Sequence, residues 1–219
     1  MKNQFILAFA LLLLLTTYNT QKKFTTSSKT NIKEVIIENN FILEEKKIEE
    51  KIKFLYSKNL ISFKSKELEK RLIEIDLIES FEIKKIFPDK IKIKIFEKKP
   101  IAIIQNKKDK KYYTSKGEII NYSNLKEFRN LPYVFGDAKN FKILHNNLKR
   151  INFPIDEIQK FYLFESLRWD LVTYDNKTIR LPIKGYLSSL KNFLKLKEQE
   201  NFNKYKSFDY RINNQLILK

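Results

Sequence analysis

Asp170 and Asp209, His145, and the adjacent pair Arg168-Trp169 are the residues whose types raise the question of chemistry. Two carboxylates support acid–base work only when a nucleophile, a base or a metal stands with them. Here they are one pair without such companions. His145 is the single histidine and there is no cysteine, so two-histidine, thiolate and iron–sulfur sites drop out, as do thiol nucleophiles and disulfides. His145 sits on an amphipathic helical stretch and is expected at the surface or half-buried. Arg168 beside Trp169 fits either cation–π recognition of a ligand or a core tryptophan with a structural arginine, and the second is the expectation. Only Gly117, Gly136 and Gly185 occur, too few and too scattered for a phosphate-cradling loop. The sequence therefore assigns no catalytic residue, no cofactor, no metal ligand and no small-molecule substrate, and the chain is expected not to be an enzyme.

The net charge of +18 points first to nucleic acid. Six of the 44 basic residues are arginine (71, 129, 150, 168, 180, 211) and the other 38 are lysine. Arginine's planar fork is what reads phosphates and bases bidentately, and the lysines run along the whole chain rather than forming one patch. A solvated, compositionally biased surface is the expectation, with no nucleic-acid partner. Attraction to anionic lipid near an anchor is a weaker reading.

These residues need elements to hold them, and the chain begins with an apolar one. Phe5 to Leu15 is unbroken apolar sequence, and Thr16 to Tyr18 extend it. A membrane-spanning helix needs about 20 residues, so residues 1–19 make a marginal span with Tyr18 at the interface. A cleaved signal peptide is the rival reading, but no small-residue cleavage pair follows Leu15. Lys22, Lys23 and Lys29 after the stretch run against the positive-inside expectation. Residues 20–30 are polar and aperiodic, a linker.

The first folded unit, 31–98, reads β-α-α-β-β. Ile32 to Glu38 is β-branched and extended. Glu44 to Tyr56 carries Ile48, Ile52 and Leu55 at helical spacing. Leu60 to Phe63 reads as a short extended piece. Ser65 reads as the cap of a second helix with Leu68, Leu72, Ile73 and Ile75 on its apolar face. Phe81 to Phe87 then turns at Pro88-Asp89 into Lys90 to Phe96, where isoleucine and lysine alternate. That alternation is a sheet with one buried and one solvated face.

The second unit, 99–219, is strand-rich. Ile101 to Gln105 is a strand, and a hairpin turns at Ser115-Lys116-Gly117. Phe141 to Ile151 and Tyr186 to Leu196 read as helices, the second with Leu187, Leu190, Phe193 and Leu194 on one face. Phe161 to Phe164, Arg168 to Tyr174 and Thr178 to Leu181 read as three antiparallel strands, and Ser207 to Arg211 as a last one.

Phe87-Pro88-Asp89-Lys90 followed by Glu97-Lys98-Lys99-Pro100-Ile101-Ala102 resembles the end of a POTRA domain of the FtsQ/DivIB family, with its E-R/K-x-P-x-A signature. Leu131 to Gly136 resembles that family's LPxxxG turn. Arg168-Trp169-Asp170-Leu171 with Thr178 to Pro182 resembles its RWDL…LP run, in which Asn176 or Lys177 replaces the usual turn glycine. Ser207 to Arg211 resembles its final strand. The resemblance covers about residues 30–212. It implies an α+β chain: an N-terminal transmembrane helix, a POTRA domain, then a mostly antiparallel β domain with flanking helices.

It further implies a non-enzymatic division scaffold in the inner membrane, single-pass type II, with periplasmic C-terminal domains at the septum. FtsB-like and FtsL-like proteins and other divisome components are the implied partners, some docking on the sheet edges of the POTRA unit. A POTRA-containing outer-membrane assembly or secretion factor is the alternative. Partner binding is expected at the C-terminal strand, through Tyr210, Arg211, Ile212, Asn214, Leu216 and Leu218. The apolar Leu216 to Leu218 at the terminus implies burial in the sheet or against a partner.

Overall fold

The computed structural model describes residues 2–17, 30–212 and 215–219. The apolar run folds as helix α1 (Lys2–Thr17), with Phe5, Ile6, Leu7 and Phe9 exposed. Its 16 residues rise about 24 Å, and no described helix is long and apolar enough to cross a membrane. Tyr18 and linker residues 20–29 lie outside the described residues.

The first unit contains β1 (Glu34–Glu38), α2 (Glu45–Ile52), α3 (Lys66–Ile73), β2 (Ile78–Ile86) and β3 (Lys90–Glu97). The sheet order is β1-β3-β2, with β1 parallel and β2 antiparallel to the central β3. The alternation in β3 decides this layout. Ile91, Ile93 and Ile95 are fully buried in one core with Ile48, Ile52, Leu55, Leu68 and Leu72 of the helical layer. Each such side chain stabilises by about 1.5–3 kcal/mol when buried, so a lysine at Ile93 would break the unit. On the far face Lys90 and Lys92 pair with Glu34 (2.5 Å) and Glu38 (2.8 Å) of β1.

Three local expectations are corrected. Leu60 to Phe63 is a turn, not extended, because the Lys85 ammonium donates to the carbonyls of Leu60 (2.8 Å) and Phe63 (2.6 Å). Ser65 does not cap α3; its backbone is already helical and its hydroxyl turns to Glu69. The apolar face of α3 is Leu68 and Leu72, with Ile73 exposed and Ile75 beyond the helix end.

Glu97 explains the junction motif. Its carboxylate accepts from the backbone N–H groups of Ile42 (3.0 Å) and Leu43 (2.7 Å), which tether the β1–α2 loop to the end of β3. Glu97→Ala strands both donors, at about 1–3 kcal/mol for a buried unsatisfied group. We expect the urea midpoint of this unit to fall accordingly, while Glu97→Gln, which keeps one acceptor, falls by less. Equal midpoints for all three chains would refute the role.

The second unit contains β4 (Pro100–Asn106), β5 (Asp109–Thr114), β6 (Ile119–Asn121), β7 (Tyr133–Phe135), α4 (Ala138–Arg150), β8 (Ile158–Leu163), β9 (Trp169–Thr173), β10 (Thr178–Arg180), α5 (Tyr186–Lys197), β11 (Ser207–Asp209) and β12 (Ile217–Leu218). The nine strands run β12-β11-β10-β9-β8-β7-β4-β5-β6. Three neighbouring pairs are parallel: β4 with β7, β7 with β8, and β10 with β11. The last two pairs are parallel because α4 and α5 are crossovers, which return the chain in the same direction.

One row of the sheet, Ile104, Val134, Phe161, Leu171, Ile179, Phe208 and Leu218, is in register across seven strands. It lies in one core with Phe141, Leu144 and Leu148 of α4 and Leu190 and Phe193 of α5. Asp137 caps α4 by accepting from the Asn140 N–H at 2.8 Å. Gly117, at φ +85°, makes the β5–β6 hairpin turn. Asn176, at φ 62°, takes the left-handed position between β9 and β10 that asparagine tolerates. The hairpin also ties the two units together: the Asn121 amide donates to Asp76 at 2.6 Å, and Lys116 pairs with Glu79.

Leu131 to Gly136 is not a turn. Tyr133–Phe135 is an interior strand. A Cβ on Gly136 would lie 2.7 Å from Leu163 Cβ and 3.5 Å from the Trp169 ring, so glycine is needed for the close approach of β8. His145 is buried, against Phe141 at 5.7 Å. It was expected at the surface or half-buried, but α4 presents it with Phe141, Leu144 and Leu148 on its packed face. Burial, with Lys149 adding to it, lowers its pKa.

Candidate partner-binding site

Across the other face of the sheet, in register, run Phe135, Tyr162, Asp170, Arg180, Asp209 and Ile217. The strands' period of two puts Arg168 with Asp170, and Asp209 with Arg211, on this same face. Phe135 and Tyr162 stack at 4.7 Å. Beyond them the row is charged. Arg168 Nε faces Asp170 Oδ1 at 3.3 Å, an ion pair rather than an aligned hydrogen bond. Arg180 reaches Asp209 at 3.5 Å. Arg211 grips Asp209 bidentately, Nε to Oδ1 at 2.8 Å and Nη2 to Oδ2 at 2.6 Å. Arg168 also lies flat on Phe164, 4.2 Å from the ring centre. Three arginines thus alternate with two buried aspartates; the Arg180–Asp209 pair ties β10 to β11, and the other two pairs run along the β9 and β11 segments.

The two aspartates respond oppositely to acid. Burial raises Asp170, against the pull of Arg168, Arg180 and Arg211. The hydrogen bonds from Arg211 hold Asp209 down at about 2. Unfolded, an aspartate titrates near ~3.9. A depressed native pKa contributes stability that is complete above that value and is lost as pH falls to about 2. Asp209→Asn is therefore expected to lower stability at neutral pH and to flatten the pH dependence between about 4 and 2. Urea unfolding at stepped pH checks this; an unchanged acid slope would contradict it.

β12 is the outermost strand, paired antiparallel to β11 with Phe208 opposite Leu218 and Asp209 opposite Ile217. Ser207 and Lys219 exchange both backbone bonds, at 2.9 and 3.1 Å. In an antiparallel ladder such pairs alternate with pairs whose N–H and C=O groups point outward. The backbone N–H and C=O of Leu218 therefore point outward, and Leu216 lies just before the strand. Their side chains pack half-buried against the core beneath α5. A groove of about 470 Å³ runs beside them, lined by Gly185, Ser188, Asn192, Tyr210 and Leu216 among others.

The residues expected from sequence to bind a partner fall into three groups. Tyr210 is in the core, its hydroxyl donating to Asn192 at 3.0 Å, and its phenol pKa is raised by burial. Arg211 and Ile212 are exposed, while Leu216 and Leu218 lie on or beside the last strand. Asn214 lies outside the described residues. The edge of Ser207 to Asp209 is not open, because the chain's own terminus covers it; the free edge belongs to β12. Sequence reading missed the charged row, although the i, i+2 spacing of Arg168/Asp170 and Asp209/Arg211 was its signal. Trp169 is buried, as the core reading of it requires. Among the described residues no group of three or more His, Cys, Asp or Glu side chains is placed to hold a metal.

The family described as "POTRA domain, FtsQ-type" matches residues 30–98, and the one described as "Cell division protein FtsQ/DivIB, C-terminal" matches residues 102–211. The chain belongs to the FtsQ/DivIB family of cell-division proteins. It is 27% identical over 208 residues to cell division protein FtsQ of Rickettsia felis, covering 92% of this chain and 78% of that one. The Rickettsia prowazekii FtsQ is 27% identical over 198 residues, 89% and 74%. The FtsQ of Methylomonas methanica is 25% identical over 126 residues, 56% of this chain, and the match spans only 49% of that protein. Among solved structures, the major extracytoplasmic domain of Geobacillus stearothermophilus DivIB aligns at 11% identity with a TM-score of 0.32, over 44% of this chain and 87% of that one. FtsQ/DivIB is a non-catalytic family, and a role in division follows for this chain. Its β12 lies beyond the matched stretch.

Proposed function

We propose that this protein is a non-enzymatic scaffold of the bacterial division complex that holds FtsB-like and FtsL-like partners by strand addition to β12. One observation carries this reading. A nine-stranded sheet ends in β12, whose outward N–H and C=O groups at Leu218 have no neighbouring strand among the described residues. Strand addition to such an edge gives affinity through backbone bonds and selectivity through alternate side chains. The groove beside Leu216 takes one such side chain, and Arg211 and Ile212 flank the edge. The Arg180–Asp209 pair beside it holds β10 to β11, so the edge is presented on a fixed support.

The domain plan in this proposal is an anchor over 1–19, a linker over 20–30, a POTRA unit over 31–98 and a β unit over 99–219. The anchor reading is supported by α1, which exposes the apolar side chains of Phe5, Ile6, Leu7, Phe9 and Leu11 to Leu13. Such a helix needs a lipid or protein environment. The folded units then stand in the periplasm, at the septum.

The test is truncation after Arg211, with folding verified by circular dichroism and affinity measured for a purified FtsB-like partner. Phe208 stays packed under α5 and Asp209 stays paired, so the domain is expected to fold and binding to be lost. A folded truncation with unchanged affinity would remove β12 from the proposal.

A further inference from the structure

The chain enters the POTRA unit at the pole away from the β domain. Leu60 N–H donates to the Thr30 carbonyl at 2.8 Å, Ile32 N–H to Lys58 at 3.0 Å and Lys33 N–H to Asp89 at 2.8 Å. The entering strand is thus flanked by the 58–63 turn on one side and the β2–β3 turn on the other. Each flank exposes a large apolar side chain: Ile61 at 60% and Phe87 at 65%. Ile61 is not exposed by fraying. The Lys85 ammonium, bonded to the carbonyls on either side of it, holds that turn in place.

Around this pole lysine is in excess. Lys64, Lys66 and Lys70 are exposed and make no ion pair among the described residues. With Lys58 they line a cleft of about 570 Å³. Of the acids nearby, Asp89 is matched by Lys33 at 3.3 Å, Glu34 by Lys90 at 2.5 Å and Glu67 by Arg71 at 3.1 Å, while Glu69 accepts from the Ser65 hydroxyl.

We infer that this pole is a docking surface for anionic lipid headgroups, with Ile61 and Phe87 as its apolar contacts and Lys64, Lys66 and Lys70 as its charge. The inference rests on the anchor reading above. Twelve residues, 18–29, separate α1 from Thr30, and twelve residues reach at most about 43 Å however they are arranged. An anchored chain therefore keeps the pole close to the headgroup layer, where the tether removes most of the association entropy. Apolar side chains set among lysines are the composition of surfaces that seat at that layer. Docking would fix the tilt of the POTRA unit on the membrane and so the height at which β12 is presented.

The chain has no cysteine, so single cysteines give clean probes. The full chain carrying Ile61→Cys or Phe87→Cys, labelled with an environment-sensitive fluorophore, is reconstituted in phosphatidylcholine vesicles with and without phosphatidylglycerol. With phosphatidylglycerol, both labels are expected to shift to the blue and to be quenched by lipids brominated on their chains. A label at Ile119→Cys, on the distant β5–β6 hairpin, is expected to stay in water in both vesicles. Combined Lys64→Glu, Lys66→Glu and Lys70→Glu should abolish the shift while the protein stays in the vesicle fraction. Protein in the vesicle fraction with unquenched labels at 61 and 87 overturns the inference and leaves the anchor standing. That result is also the one an acidic protein partner for this pole would give. Equal quenching with and without phosphatidylglycerol overturns the electrostatic part and with it the inference. Absence of the protein from the vesicle fraction overturns the anchor reading and the inference together.

Discussion

Trp169→Ala is expected to destabilise the β unit by about 3–5 kcal/mol, the range for a large aromatic removed from a core. Trp169 is 6% exposed. Its ring lies against the bare Cα of Gly136 and within 6.5 Å of the Phe141 ring. The surroundings cannot collapse into the space it leaves. Gly136 directly follows the interior strand β7, and Phe141 belongs to a helix already packed on Phe161 at 5.3 Å. A domain's whole stability is about 5–15 kcal/mol, so the loss is a large fraction of it. Thermal or urea unfolding of the full chain measures the effect, and Trp169→Phe should recover much of it. A variant that melts normally yet no longer binds a division partner would move Trp169 from the core to the contact surface.

Leu218→Pro is expected to weaken partner binding by about a hundredfold or more, equivalent to ~2.7 kcal/mol, while the fold survives. The register places the Leu218 N–H outward, so β11 does not use it. Proline deletes that donor and puts ring atoms where the incoming strand must lie. Ile217 before it is already extended, the conformation a following proline favours. Leu218→Val keeps the donor and most of the apolar contact, and should bind within a few fold of the natural chain. Titration of purified partner against the three chains decides the matter. Equal affinity for the proline and valine variants would mean that the edge of β12 is not where the partner pairs.

The POTRA layout was legible because β3 alternates isoleucine and lysine without interruption, and a period of two admits one burial pattern. The helices α2, α4 and α5 were legible for the matching reason: Ile48/Ile52, Phe141/Leu144/Leu148 and Leu190/Phe193 fall on single faces at helical spacing. Short elements were less so. The turn expected over Leu131 to Gly136 rested on the family resemblance, and three residues carry too little periodicity to reveal the strand Tyr133–Phe135. The Leu60–Phe63 turn is held by Lys85, 22 residues or more away in sequence, a contact that no local pattern contains.

The candidate site divides in the same way. Residue types alone determined that this chain lacks the groups for thiol chemistry, a cysteine or two-histidine metal centre, or a glycine-rich phosphate loop. The same types dictated strand-rich architecture behind an apolar first segment. Which edge of the sheet stays open was decided only by tertiary structure. Ser207 to Asp209 and Ile217 to Leu218 are equally strand-like in sequence. The chain reversal between them makes the first an interior strand and the second the edge. Likewise Asp170 and Asp209 are two carboxylates without companions, and Arg180 one basic residue among many, until parallel and antiparallel register sets them side by side. Local propensity fixes what each segment prefers to be. Pairing across the sheet depends on where distant segments end up, and that is set by the closing of the whole core.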